Sequence, residues 1–242
     1  MRVAVVPARS GSKRIPNKNI KNFLGKPMIS YPLTALTKSD LFDQIIVSTD
    51  SEEYGEIAKN FGATLIDMRP KYLSDDQSGL LSVYKYLIDK YSLRSCTSFT
   101  CLMPCSPFIS MSHITDAVNR LESHLNAKSL MAISQYEAPP EWALEIKNDE
   151  VRFMNKRKLV KNYKTLNQKY YDAGSLYVYK PQYLNSKNKI VTQGILPFIL
   201  PKNVAIDIDN PEDWQHAEQI GLVIQTLVKP LKSTLANWVI EK

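Results

Sequence analysis

Residues 3–19 read VAVVPARSGSKRIPNKN, and the prediction of the fold starts from this stretch. The apolar run 3–6 is typical of a short buried strand, and Pro7 is expected to end its pairing because proline has no N–H to donate. In the polar loop that follows, backbone N–H groups around Gly11 and several cations can converge on one anion. A solvated basic turn is the alternative for such a composition. The cations of the loop, with no acid among them, are Arg9, Lys13, Arg14 and Lys18.

Apolar runs and helical patterns alternate along the rest of the chain. The predicted strands are 3–6, 44–47, 63–68, 99–103, 130–133, 175–179 and 204–208. The predicted helices are 28–39, a segment through Phe61 capped by Asp50, 78–91, a segment capped by Ser112, and a last helix with Asn210 as N-cap and Pro211 at its first position. This alternation indicates an α/β fold with a mostly parallel, doubly wound, Rossmann-like sheet. Such sheets bind ligands at the carboxyl ends of their strands, where a di- or triphosphate is expected on the basic loop.

The pattern changes after the fifth predicted strand. Residues 142–146 and 151–154, joined by a polar turn at 147–150, predict a β-hairpin, and a basic run at 155–164 follows. Because no long Gly/Ser/Pro-rich linker divides the chain, we expect one domain over residues 1–242. The segment 137–168 is interpreted as a small insertion within it, and a solvent-facing flap is the alternative.

Charge and composition narrow the function classes. The 242 residues include 31 Lys and Arg against 24 Asp and Glu, a net charge of +7 that favours nucleotides, acidic sugars or nucleic acid as partners. The first apolar run has only four residues, and nowhere do about 18 apolar residues occur together, so we expect a cytoplasmic protein without a membrane partner. Cys96, Cys101 and Cys105 match no zinc or redox spacing and are expected to be core residues.

Five motifs occur in order between residue 3 and about residue 216. They are PARSGSKRIPNKN at 7–19, Ser48-Thr49-Asp50, Arg69-Pro70, Pro104-Cys105-Ser106-Pro107 and Asp207-Ile208-Asp209. The common phosphate motifs G-x-x-x-x-G-K-[ST] and G-x-G-x-x-G are absent from the sequence. The series resembles the cytidylyltransferases that activate α-keto acid sugars, the CMP-sialic acid synthetase family, and the resemblance covers nearly the whole chain.

The resemblance implies that CTP and an acidic nine-carbon keto sugar react to a CMP-sugar and pyrophosphate within one nucleotidyltransferase domain. It implies Mg²⁺ on Asp207 and Asp209, since two carboxylates with phosphate oxygens and waters match how Mg²⁺ is usually held. Catalysis would depend mainly on positioning and charge neutralisation, with Arg9, Lys13 and Asp209 as the catalytic residues. The CTP-binding residues that it implies are Arg9, Ser10, Gly11, Lys13, Asn19 and Arg69.

The sugar end departs from the sialic acid pattern in two places. Leu102-Met103-Pro104 stands where many sialic acid enzymes have Leu-Gln-Pro, so an amide that would contact the sugar is missing. Tyr171-Asp172-Ala173-Gly174 stands in place of an Arg-Pro-Asn-Gly-Ala run and is more similar to the pseudaminic acid branch. Pseudaminic acid is therefore the expected sugar, with N-acetylneuraminic and legionaminic acid as alternatives. The expected sugar-binding residues are Met103, Ser106, Tyr171 and Asp172.

In the resembled family, a segment at the position of 137–168 crosses to a second subunit, which implies a homodimer here. Two other functions use parts of the same sequence. A glycosyltransferase would use Asp207-Ile208-Asp209 as a D-x-D metal motif, although that motif normally follows a strand in mid-chain. A nucleic-acid binder would use the basic run with its aromatic residues, and we expect no such partner.

Overall fold

The computed structural model describes residues 1–75, 78–154, 166–184 and 193–240, and for 228–240 it describes the backbone alone. Over these residues the strands are β1 Arg2–Pro7, β2 Asn22–Phe23, β3 Lys26–Pro27, β4 Gln44–Thr49, β5 Leu65–Met68, β6 Ser98–Leu102, β7 Ser129–Gln135, β8 Leu144–Lys147, β9 Glu150–Phe153, β10 Tyr170–Tyr179 and β11 Ile195–Ile199. The helices are α1 Ser30–Ser39, α2 Glu52–Lys59, α3 Leu80–Lys90, α4 Met111–Ser123 and α5 Pro211–Ile240.

Within the described residues, a seven-stranded sheet has the order β11-β7-β10-β6-β1-β4-β5. Neighbouring strands from β6 to β5 are parallel, β11 is parallel to β7, and β10 runs antiparallel between β7 and β6. The prediction of a mostly parallel α/β sheet is confirmed.

The central strand β1 is buried on both faces, which explains why its apolar run is continuous. Ala4 and Val6 pack into one core with residues of α1, α2 and α4. Val3 and Val5 pack into a second core with residues of α3. Helices therefore cover both faces, as the doubly wound prediction requires. Pro7 does not end the pairing: it stays in register with Ser48, and the Ala8 N–H donates to the Ser48 carbonyl at 2.9 Å.

The predicted last strand at 204–208 is wrong. That segment has no strand pairing, because it begins in a turn in which the Val204 and Ala205 N–H groups both donate to the Pro201 carbonyl. The outer strand is instead β11, parallel to β7, with Pro197 opposite Met131. A proline inside a short apolar run argues against a central strand, and an edge position tolerates it. The same segment 204–208 lies beside the cavity described below.

Two predicted helix caps are displaced from the observed ones. Ser51, not Asp50, caps α2, and its side chain accepts from the Tyr54 N–H. Ser110, not Ser112, caps α4 in a capping box with His113. In each case the cap is the residue directly before the first helical residue, which is Glu52 in α2 and Met111 in α4. The predicted cap of α5 is confirmed, since Asn210 Oδ1 accepts from the Asp213 N–H at 2.9 Å.

The predicted hairpin is present as β8 and β9, with Leu144 opposite Phe153 and Ile146 opposite Val151. Asn148 and Asp149 form its turn at φ values of 53° and 64°, the two positive angles that a type I′ turn requires. All eight strand residues are exposed, and the hairpin is separate from the seven-stranded sheet. The basic run at 155–164 lies outside the described residues.

A third apolar cluster joins the segment after the basic loop to the start of α5. Phe23 packs edge-on against Trp214 with ring centroids 5.4 Å apart. A Cβ on Gly221 would overlap with the end of the Leu24 side chain, so any other residue there would require Leu24 to shift. The buried members of the cluster are Ile15, Phe23, Met28, Ile208, Trp214 and Ala217. The cluster fixes the basic loop and the 206–209 segment relative to each other.

In the part of the chain that the structure describes, no helix is long and apolar enough to cross a membrane. Cys96 and Cys101 are buried, as predicted. Cys105 is only partly buried and lies at the cavity.

Candidate active site

A cavity of about 530 Å³ opens at the carboxyl ends of β1, β5 and β6, between the loop after β1 and the 206–209 segment. This is the edge of an open α/β sheet at which ligands bind. Its basic lining residues are Arg9, Lys13, Arg14, Lys18 and Arg69, and its acidic lining residues are Asp75, Asp207 and Asp209. The excess of basic over acidic residues suits an anion with several charges.

The loop after β1 is held by hydrogen bonds to Asp50, which lies outside the cavity, and from Asn19, which lines it. The Ser10 N–H and hydroxyl donate to the two carboxylate oxygens of Asp50, at 2.7 and 3.2 Å. The Asn19 amide donates to the Arg9 carbonyl at 2.9 Å. Gly11 lines the cavity, and a Cβ there would meet nothing within 4 Å. Ser10, expected to bind the nucleotide, is therefore not among the lining residues; it anchors the loop to Asp50.

Two arginines enter the cavity from different elements. Arg9 donates to the Asp75 carbonyl at 3.0 Å. Arg69, directly after β5, is only 7% exposed and donates to the Ser48 hydroxyl and carbonyl at 3.3 and 2.8 Å. Burial lowers the pKa of Arg69 from its ordinary value, and the nearby carboxylates of Asp50 and Asp67 oppose that change. The guanidinium group nevertheless remains a cation.

The acidic pair lies opposite the basic loop. Asp209 accepts from Arg14 at 2.8 Å and from Lys18 at 3.4 Å, and Lys18 also donates to the Ile208 carbonyl at 2.6 Å. Burial acts to raise the pKa of Asp209, but the hydrogen bond from Arg14 and the charge of Lys18 outweigh it and keep this pKa below its ordinary value. The pKa of Asp207 is raised by burial and then by repulsion from Asp209.

The carboxylates of Asp207 and Asp209 suit a hard divalent cation, but they supply only part of its ligands. Across the described ranges, no group of three or more His, Cys, Asp or Glu side chains is arranged to enclose a metal. A cation at Asp207 and Asp209 would therefore need phosphate oxygens and waters as its other ligands, which is how Mg²⁺ is usually bound. Lys18 and Arg14 act to lower the pKa of Asp207, but burial and the charge of Asp209 outweigh them.

The expected sugar-binding residues are only partly brought together. Met103 and Ser106 line the cavity, whereas Tyr171 and Asp172 do not. Tyr171 packs against Tyr136 with ring centroids 5.1 Å apart. Asp172 accepts from the Gly174 N–H at 2.9 Å and from the Tyr177 hydroxyl at 2.8 Å.

These bonds of Asp172 shape β10. Its register against β7 shifts between Asp172 and Tyr177, a β-bulge in which Gly174 has a φ of 62°. Gly174 lines the cavity, and a Cβ there would lie 3.6 Å from Asp207 Oδ2. Asp172 thus affects the site through the backbone of Gly174.

Several lining residues were not predicted. Arg14 and Lys18 belong to the acid-free loop and could have been included on that basis. The positive φ of Gly174 is consistent with the Tyr-Asp-Ala-Gly motif, but the sequence does not indicate that it faces the cavity. The remaining unpredicted lining residues come from distant elements and include Leu73, Asp75, Ser78, Leu80, Val83, Cys105 and Ile206.

Two enzymes of known structure, a synthetase and a synthase, have a similar fold. A CMP:2-keto-3-deoxy-manno-octonic acid synthetase complexed with CTP is 18% identical, with a TM-score of 0.66 over 93% of this chain and 99% of the other. A 4-diphosphocytidyl-2C-methyl-D-erythritol synthase is 7% identical, with a TM-score of 0.62 over 90% of this chain and 98% of the other. At these identities, the likeness establishes the fold alone.

Sequence relatives are more similar. Pseudaminic acid cytidylyltransferase of Campylobacter jejuni is 31% identical over 89% of this chain and 94% of its own length. The pseudaminic acid cytidylyltransferase and UDP-2,4-diacetamido-2,4,6-trideoxy-beta-L-altropyranose hydrolase of Helicobacter pylori is 35% identical over 79% of this chain, which spans only 37% of that protein. CMP-N,N'-diacetyllegionaminic acid synthase of Legionella pneumophila is 31% identical over 90% of this chain and 95% of its own length. The cytidylyltransferase family model matches residues 3–225, and the chain therefore belongs to the cytidylyltransferase family.

Proposed function

We propose that this cytidylyltransferase condenses CTP with a nonulosonic α-keto acid, preferentially pseudaminic acid, and releases pyrophosphate. The observation that carries the proposal is the cavity in which a loop with four cations faces Asp207 and Asp209. The family argues for this reaction over the glycosyltransferase alternative. The names of the relatives from Campylobacter and Helicobacter support pseudaminic acid as the sugar. Cytoplasm remains the expected compartment.

In the proposed reaction, the anomeric oxygen of the sugar forms a bond to the α-phosphorus of CTP and its proton passes to solvent. The bond between the α-phosphorus and the oxygen that bridges to the β-phosphate breaks, so that pyrophosphate leaves. Arg9 and Lys13 would neutralise phosphate oxygens, and Gly11 leaves room for a phosphate close to the backbone. Asn19 and Arg69 would meet the nucleoside part. Asp207 and Asp209 would hold Mg²⁺, which lowers the negative charge on the triphosphate.

The sugar would lie toward Met103, Ser106 and Gly174. Met103 has no amide for the polar groups of N-acetylneuraminic acid, and its flexible thioether suits the deoxy carbon with its methyl group in pseudaminic acid. Sequence identity does not discriminate between sugars, since a legionaminic acid relative reaches 31% as well.

The deciding experiment measures pyrophosphate release with CTP, Mg²⁺ and each of three sugars: pseudaminic, N,N'-diacetyllegionaminic and N-acetylneuraminic acid. We expect efficient use of pseudaminic acid and a kcat/KM about ten- to a hundredfold lower with N-acetylneuraminic acid, because one unpaired buried polar group costs about 1 to 3 kcal/mol. Equal or better use of N-acetylneuraminic acid would contradict the pseudaminic assignment and leave the family reaction standing. Omission of CTP, or its replacement by ATP, is the control.

We further propose a homodimer in which the β8–β9 hairpin packs on the partner subunit. Leu144, Ile146, Val151 and Phe153 form two cross-strand pairs, and their exposed fractions are 52, 77, 61 and 46%. An isolated two-stranded hairpin is marginally stable in water, so an apolar surface of this kind gains most from burial by a second chain.

Light scattering at tens of micromolar is expected to give the mass of a dimer, and Ile146→Asp to shift it toward the monomer. The matched control is Glu145→Ala, one residue away in the same exposed strand. A parent protein that is monomeric throughout this range would argue against the dimer.

A further inference from the structure

A buried polar network reaches Arg69 from the side of the sheet covered by α3. The Asp67 side chain on β5 is fully buried and accepts three hydrogen bonds. Lys90 and the Tyr91 hydroxyl donate to its Oδ1 at 2.7 and 3.0 Å. The Ser48 hydroxyl on β4 donates to its Oδ2 at 2.8 Å. Ser48 and Asp67 face each other in the β4–β5 ladder, so strand pairing brings them together.

The direction of these bonds determines what Ser48 presents to Arg69. The Asp67 carboxylate, which also accepts from the Lys90 cation, has no hydrogen to donate, so the Ser48 hydroxyl proton points at Asp67. The lone pairs of the Ser48 oxygen are then left for the Arg69 Nε–H at 3.3 Å. A second guanidinium nitrogen donates to the Ser48 carbonyl at 2.8 Å, which fixes the plane of the group.

We propose that Asp67 and Ser48 are positioning residues that set which N–H groups of Arg69 face the cavity. The other side of the guanidinium makes one weak bond, from Nη1 to the Leu73 carbonyl at 3.5 Å. Orientation therefore depends on Ser48, and the acceptor role of Ser48 depends on Asp67. This inference rests on the proposed function, in which Arg69 meets the nucleoside part of CTP.

Asp67→Asn tests the network with little change of shape. A carboxylate has two acceptor oxygens, whereas an amide has one oxygen and one NH₂ group. The amide therefore cannot accept from Lys90 on one side and from Ser48 on the other. When its oxygen faces Lys90, its NH₂ group donates to the Ser48 oxygen and competes there with the Arg69 Nε–H. The expected result is a CTP dissociation constant raised about tenfold, with kcat changed by less than about twofold, because a contact to the nucleoside contributes to ground-state and transition-state binding alike.

Glu122 provides a matched control at the opposite end of the sheet. Its carboxylate accepts from the Arg2 guanidinium at 3.0 and 2.8 Å and from the Ser98 hydroxyl at 2.9 Å. It thus combines a cation, a carboxylate and a strand serine as Asp67 does, but none of the three lines the cavity. Both Asp67→Asn and Glu122→Gln are expected to lower Tm. Glu122→Gln is expected to leave the CTP dissociation constant unchanged.

The measurements are isothermal titration with CTP, steady-state kinetics and Tm, on Asp67→Asn, Arg69→Met, the double variant and Glu122→Gln. If Asp67 acts through Arg69, then Asp67→Asn causes no further loss of CTP affinity once Arg69 is methionine. Ser48→Ala carries the same test if Asp67→Asn does not fold, since it removes the acceptor of the Nε–H directly.

Three results would overturn the positioning role: CTP binding by Asp67→Asn and Ser48→Ala equal to the parent, a further loss in the Arg69→Met background, or the same loss of affinity in Glu122→Gln. Unchanged CTP affinity in Arg69→Met would overturn it together with the nucleoside contact of Arg69. A parent that binds CTP but releases no pyrophosphate with any of the sugars overturns the proposed function, and the titrations still decide the role of Asp67.

Discussion

The two walls of the cavity are built in different ways. The basic wall comes from one continuous stretch, residues 9–19, and is anchored by nearby bonds from Ser10 to Asp50 and from Asn19 to Arg9. The opposite wall combines the end of β6, the bulge of β10 and the 206–209 segment, which are far apart in the chain. One continuous stretch thus supplies most of the positive charge of this cavity, whereas its shape depends on long-range strand pairing.

The largest effect is expected from a substitution in the acidic part of the second wall. Asp209→Asn should lower kcat/KM by about two to three decades at ordinary Mg²⁺ concentration, with partial recovery at high Mg²⁺, because one ligand oxygen loses its charge while the shape is kept. Steady-state assays over a Mg²⁺ series measure this. Glu212→Gln, an exposed acid in the next helical turn, is the control. A variant with the parent's rate and Mg²⁺ dependence would remove Asp209 from the metal site.

A smaller effect is expected on the basic wall, where several cations together would neutralise the triphosphate. Arg9→Ala should lower kcat/KM for CTP by about one to two decades, because a charge-assisted hydrogen bond contributes about 1.5 to 3 kcal/mol. Its Tm should stay close to that of the parent. Lys26→Ala removes an exposed cation outside the cavity and should leave the kinetics unchanged. If Arg9→Ala behaves like Lys26→Ala, Arg9 does not contact the triphosphate.

The smallest effects are expected when one glycine on each wall is replaced by alanine. Gly174→Ala should cost about 1 to 2 kcal/mol of stability, since φ is 62° there and non-glycine residues are strained in this region. Gly11→Ala should change stability by less than about 0.5 kcal/mol, because its Cβ would enter open space.

The two glycine variants should also differ in kinetics. We expect Gly11→Ala to raise KM for CTP and Gly174→Ala to raise KM for the sugar. Thermal unfolding with substrate titrations checks both expectations. Equal destabilisation by the two variants would break the contrast between a locally built and a remotely built wall.

The difference between the two walls also explains which parts of the structure could be predicted from the sequence. The strand β1, its basic loop, the hairpin turn at Asn148 and Asp149, and the Asn210 cap all depend on neighbouring residues, and all were predicted. Arg69 directly follows one predicted strand and Met103 is the last residue of another, and both line the cavity because parallel strands end at one edge.

The sequence-based predictions were wrong where contacts between residues far apart in the chain determine the structure. Whether 195–199 or 204–208 pairs with β7 depends on an edge that is formed only in the folded sheet. The direction of Asp172 depends on Tyr177 and Gly174 within a bulge, and no local pattern distinguishes a bulge from a regular strand. The caps at Ser51 and Ser110 were missed by one or two positions, a distance over which capping residues of the same type compete.

The cluster of Phe23, Trp214 and their neighbours has a consequence for biosynthesis. It joins residues between 15 and 28 to residues between 208 and 217, which are synthesised nearly two hundred positions later. Contacts of such high sequence separation form late in folding. A nascent chain can thus complete the sheet from β1 to β6 well before Asp207 and Asp209 face the basic loop. The order of translation therefore delays assembly of the acidic wall until the 206–209 segment and the start of α5 have been made.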